Sequence, residues 1–307
     1  MKRIPAFGWA AAALLMAWCN PAGAQDAVTP KPPDAAEPGH RLVWDERWPR
    51  FRIIEYGVTA TLAVELALLQ FAANSPSEPH FGGGVLFDDR VRSAMRLETR
   101  SAREAAGLAS DITAVTPIYV QALLVDGLVI PLLFDDWNGD IALQLEMMNF
   151  LSLGTVGVLS RIGHRFVGRA RPNAPECHDA PESDAYCLDP YDSFPAGHPA
   201  GAFTGAGLNC AHHTHLRLYG SRALDITLGC ALPLLLATAT GVLRIAADQH
   251  YTTDVLLGSS LGFAAGFGLP LALHYGFGGT KGTPLAEAFI VPVSGPGLAG
   301  ASMAARF

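Results

Sequence analysis

Residues 141–172, IALQLEMMNFLSLGTVGVLSRIGHRFVGRARP, decide the fold class. The run from 141 to 162 is much longer than a strand and lacks strict alternation of apolar and polar residues, so it reads as a helix. At about 20 residues it also reaches the length that crosses a bilayer. It ends in His164, Arg165, Arg169 and Arg171, with Pro172 behind them, which puts a cationic cap on an apolar rod. Five further apolar blocks lie at 53–73, 112–134, 199–211, 223–245 and 254–275. The chain is therefore expected to be all-α, a bundle of about six helices with its chemistry at one end.

Composition narrows the class. Half of the 307 residues are apolar and 16% are charged, against about a quarter charged in ordinary soluble domains, so most of the chain is not disordered. The net charge is −7 with lysine only at 2, 31 and 281. A nucleic-acid partner is excluded, because it needs a basic surface to meet phosphates. Glu55, Glu65, Gln121, Asp126, Gln144 and Glu146 interrupt the apolar blocks. Ionisable groups at such depth face a protein interior or cavity, so part of the apolar content is expected to be bundle core, and spanning versus docking on a membrane stays open.

The chain divides into four parts. Lys2 and Arg3, an apolar stretch and Ala22-Gly23-Ala24 read as a signal peptide over 1–24. Residues 25–50 read as a flexible Pro-rich leader, 51–275 as the helical domain, and 276–307 as a Gly-rich tail with one short strand at 286–293. Outside the cytosol, Cys177 and Cys187, ten apart in one polar loop, are expected to be bonded. Cys210 and Cys230, in apolar segments, read as free buried thiols.

Three stretches concentrate cationic and imidazole groups at helix ends: 164–172 (HRFVGRARP), 193–198 (SFPAGH) and 244–254 (RIAADQHYTTD). Arginine forks match phosphate oxygens and keep their charge. A glycine at a helix start lets backbone N–H groups approach an anion. Two histidines can divide phosphoryl transfer into nucleophilic attack and protonation of the leaving oxygen.

The order and spacing of these stretches resemble the type 2 phosphatidic acid phosphatase (PAP2) superfamily, which includes the vanadium haloperoxidases. His164 stands six residues before Arg171-Pro172, Pro195-Ala196-Gly197-His198 follows, and Leu243-Arg244 precedes His250 by five residues and Asp254 by a further three. The resemblance implies a PAP2-like helical bundle and a phosphatase that hydrolyses phosphomonoesters without metal or cofactor. It makes His250 the nucleophile of a phosphohistidine, Asp254 its orienting partner and His198 the general acid. Arg171, Arg244, the Gly197 amide and His164 would hold phosphate, with Arg165 able to supply the charge of the lysine that His164 replaces. Ala196 and Leu243 stand where the family has serines.

Other residues read more plainly. Arg169 is expected at a solvated or lipid-headgroup surface, Asp248 in an ion pair with Arg244 four residues away, and His212, His213 and His215 at a polar helix end rather than a metal site. The loop 173–192 carries six acids and no Lys or Arg, so it is expected to repel polyanions and favour lipid phosphates. Arg90, Arg92, Arg96, Arg100 and Arg103 read as a cytosolic loop under the positive-inside rule, against a periplasm-facing site in the inner membrane or a soluble periplasmic bundle. A phosphotransferase of the same fold and a non-catalytic lipid-phosphate-binding envelope protein are the alternatives.

Overall fold

A computed structural model describes residues 42–71, 76–181, 183–278, 289–295 and 298–304. The signal peptide, most of the leader and the start of the expected strand lie outside the described residues. Among the described residues seven helices form the bundle: α1 Ile53–Phe71, α2 Asp88–Met95, α3 Arg100–Phe134, α4 Gly139–Val167, α5 Gly197–Leu216, α6 Arg222–Ala246 and α7 Thr252–Leu273. The second half of α3, Thr116–Phe134, is wound as a π-helix. In place of one strand the tail forms an antiparallel hairpin, β1 Phe289–Gly295 and β2 Leu298–Ala304.

Helix count exceeds the expectation because 88–111 has no continuous apolar run. Caps and tertiary contacts form these helices instead. Thr99 accepts from the Ala102 amide to start α3, and Asn138 accepts from Ile141 to start α4. Gly168, at φ 52°, ends α4 in the left-handed conformation that glycine adopts without penalty.

Helix α5 is the centre of the bundle, with fifteen of its twenty residues buried. It packs closest on α7. A Cβ on Gly262 would lie 2.1 Å from the Ala200 carbonyl oxygen, and one on Gly266 2.1 Å from that of Thr204. These glycines therefore let two helix backbones touch, as small residues do between membrane helices. On the other side of α5, Gly205 lies against Pro117 of α3 in the same way.

Except for α2, the helices run alternately up and down. One pole collects the end of α1, the start of α3, the end of α4, the start of α5, the end of α6 and the start of α7, and carries the three motif stretches. At the opposite pole Leu42, Trp44 and Phe51 pack with Ile141, Leu145, Leu216 and Tyr275. Trp44 and Trp48 lie 5.9 and 5.0 Å from the Tyr275 ring. The leader reading is thus corrected for residues 42–50: their aromatic side chains complete the core of this pole.

Helices α1, α3, α4, α6 and α7 are long and apolar enough to cross a membrane, and their outer faces expose large apolar side chains such as Leu68, Leu124, Phe150 and Leu235. The chain is a membrane protein. The interrupting polar groups turn inward: Gln121 donates to the Leu228 carbonyl, Gln144 accepts from the Phe51 amide, and Glu55 pairs with Arg52. Glu65 departs from the expectation and is exposed on α1.

The cysteines form two bridges, Cys177–Cys187 as expected and Cys210–Cys230 in correction of the free-thiol reading. The second pair joins α5 to α6, a contact that only the tertiary fold creates. Nor do Arg92, Arg96, Arg100 and Arg103 stand free. Arg92 and Arg96 bind Asp248, Arg96 and Arg103 bind Glu176, and Arg100 binds Asp184. Asp248 is thereby paired across the fold rather than with Arg244. Arg96, Arg100 and Arg103 thereby clasp the 173–192 loop onto the start of α3 through Glu176 and Asp184.

Candidate active site

A cavity of about 1230 Å³ opens at the motif pole. His164, Arg171, Gly197, His198 and His250 line its polar end. The rest is a groove walled by Ala60, Ala63, Leu66 and Ala67 of α1, Ile118 and Tyr119 of α3, and Met147, Phe150 and Leu153 of α4.

His250 sits in the turn between α6 and α7, 3% exposed. Its Nδ1 lies 2.8 Å from the Ser193 carbonyl oxygen. A carbonyl only accepts, so Nδ1 carries the proton and Nε2 keeps its lone pair. Burial, followed by the nearby Arg171 and Arg244, holds the His250 pKa well below the ordinary histidine value. The ring is therefore neutral near neutral pH, the form in which Nε2 is nucleophilic.

Asp254 does not orient this ring by direct contact, as the four-residue spacing suggested. Its carboxylate accepts from Ser193 Oγ at 2.7 Å and from the Tyr251 amide at 2.9 Å. Ser193 is thus the link, held by Asp254 through its hydroxyl and holding His250 through its carbonyl. Behind it, Arg169 donates to Asp254, Thr253, Asp88 and the Gly83 carbonyl, with its guanidinium carbon 4.2 Å from the Tyr251 ring centre. At 2% exposed, Arg169 is an internal tie rather than the surface contact expected of it, because its carboxylate partners come from α2 and α7.

The cationic groups divide into cavity and support. Arg171 faces the cavity, and its buried Nε has no hydrogen-bond partner among the described residues. Burial lowers its pKa, with Asp189 and Asp192 opposing, yet a guanidinium stays charged at physiological pH. Arg244 is buried outside the cavity lining, donating to Gln249 and to Asp111 of α3. His164 donates through Nε2 to the Pro195 carbonyl at 2.8 Å. Arg165 donates to the Leu69 carbonyl and lies 3.7 Å from Asp192. Arg161, which sequence reasoning passed over, lines the cavity one turn below His164.

Helix α5 begins at Gly197 without a capping side chain, so its first amides are open to an anion. Ala196 does not line the cavity. It is fully buried against Ile245 and Val255, so the missing serine hydroxyl leaves no gap in the cavity wall. His198 is exposed at the mouth, its Nε2 3.2 Å from Asp111 Oδ1.

At the far pole His213 lies between two carboxylates, Asp225 at 2.6 Å and Asp126 at 3.0 Å, carboxylates that the sequence did not place near it. His212 bonds Tyr275 and Asn149. These histidines tie α5 to its neighbours.

Residues 146–276 match the family model of the PAP2 superfamily. This stretch belongs to the PAP2 superfamily. It contains all three motif stretches, while α1, α2 and α3, with Asp88 and Asp111, lie ahead of it. The crystal structure of a transmembrane PAP2 type phosphatidylglycerolphosphate phosphatase from Bacillus subtilis is similar to the chain at 19% identity and a TM-score of 0.43, over 69% of this chain and 92% of that one. Comparison with curated proteins gives no match.

Proposed function

We propose that the chain is a phosphatase acting on phosphomonoesters of lipids through a phosphohistidine on His250. One observation carries this reading: a neutral, Nε2-free histidine, an exposed histidine and a cavity-facing arginine stand at the polar end of an apolar groove between α1 and α4. The groove suits an acyl or prenyl chain, and the polar end suits its phosphate. Arg171 and the first amides of α5 hold the phosphate oxygens there.

His250 Nε2 attacks phosphorus in line with the ester oxygen. As the P–O bond breaks, His198 gives that oxygen a proton and the alcohol leaves. Neutral His198 then takes a proton from water, the water oxygen attacks phosphorus, and the P–N bond breaks to release phosphate. Asp254, acting through Ser193, keeps Nε2 aimed. The Cys177–Cys187 bridge beside the site supports a periplasmic face, where disulfides persist.

The test is phosphate release from phosphatidic acid in mixed micelles by the detergent-purified protein. Wild type is expected to turn over and His250→Ala to lose at least about 10³-fold, the scale on which removing a nucleophile acts. Equal rates for the two, or no release from any lipid phosphate, would overturn the assignment.

A further inference from the structure

Hydrolysis by this route needs His198 protonated at the moment the ester bond breaks. Its surroundings are mostly unfavourable to that charge: the groups packed around the ring desolvate it and lower its pKa, Arg244 of α6 and Arg171 both act on it as cations, and His250 faces it from the α6–α7 turn. His164 of α4 packs behind Gly197 at the same helix start. Asp111 is the exception. It reaches across from α3 with Oδ1 3.2 Å from His198 Nε2, and the same carboxylate pairs with Arg244.

We infer that Asp111 is a positioning residue that favours the charged form of His198 and aims it as the proton donor. The inference rests on the phosphatase reading and extends it to a residue outside the PAP2 stretch. Both side chains are about half exposed, 48% for His198 and 49% for Asp111. The ring is thus open to the leaving oxygen and can be reprotonated by water, which a sealed ion pair would prevent. Asp111 exchanges no proton. It supplies a negative charge beside the ring against Arg244 and Arg171 while the donor waits for substrate, and by engaging Arg244 it fixes the side from which the ring enters the cavity.

The sign of the effect is definite. A neighbouring carboxylate stabilises the imidazolium and raises the pH at which it deprotonates. A general acid works only while protonated, so activity falls as pH rises through that point. Asp111→Asn is therefore expected to move the alkaline limb of the kcat profile to lower pH by about 1 unit. Above the limb kcat drops about tenfold, with KM little changed, and Asp111→Glu restores the limb.

A structural role through Arg244 predicts something else: a rise in KM with the limb unmoved. That result, or a profile identical to wild type, would overturn the inference while wild-type turnover leaves the phosphatase reading standing. Absence of wild-type turnover removes both. Thermal unfolding in detergent checks that each variant is folded. Should Asp111→Asn fail to fold, Asp111→Ser removes the same charge with a smaller side chain and is read in the same way.

Discussion

Ser193 carries more than its place in the motif discloses. Its hydroxyl is given to Asp254 and its carbonyl takes the Nδ1 proton of His250, so one small residue transmits the carboxylate's hold to the nucleophile. Ser193→Ala keeps the carbonyl but cuts the tether. A hydrogen bond to a charged group contributes about 1.5–3 kcal/mol, so kcat is expected to fall at least about tenfold with KM nearly constant. Steady-state kinetics on the same micelles measures this, and an unchanged kcat would show that the carbonyl needs no tether. Spacing alone put Asp254 beside His250, because residues four apart in a helix share a face. His250 precedes the first turn of α7 rather than lying within it, so that rule does not apply, and Ser193 comes from 57 residues upstream.

The elements show why some of the architecture was legible and some was not. Apolar runs marked α1, α4, α6 and α7, since a lipid-facing or core-facing helix must be continuously apolar. Helix α2 and the front of α3 escaped because distant partners hold them, and ion pairs between Arg92 and Asp248 or Arg100 and Asp184 leave no periodicity in either partner's sequence. The Cys210–Cys230 bridge escaped for the same reason. Contact between α5 and α7, by contrast, is written in Gly258, Gly262 and Gly266. Gly262→Ala puts a methyl 2.1 Å from backbone oxygen that cannot move independently of α5, and is expected to lower stability by about 1–3 kcal/mol. Gly268, where a Cβ meets nothing within 4 Å, is the internal control. Gly268→Ala is expected to raise helix stability by about 0.5–1 kcal/mol. Thermal unfolding of both variants in one detergent tests the pair, and equal effects would refute close packing as the role of Gly262.

For the whole molecule, the alternation of helices sets the motif pole and the Trp44–Tyr275 pole on opposite faces. If α1 crosses like its neighbours, residues near 46 and residues near 98 lie in different compartments. A cysteine introduced at exposed Glu98 is expected to react with a membrane-impermeant maleimide on spheroplasts, and one at exposed Glu46 only after permeabilisation. Labelling of both from the same side would mean that the bundle does not span. The aromatic cluster at the far pole has a different consequence. Because Trp44 and Trp48 rest on Tyr275, the path of the helices returns to where it began, and the bundle is a closed circuit broken only by the covalent gap between those two points. The walls of the active site therefore do not depend on which helix comes first. A chain joined across that gap and opened instead at the Arg217–Gly220 turn, on the same face, would string the same helices in a new order around an unaltered catalytic pole.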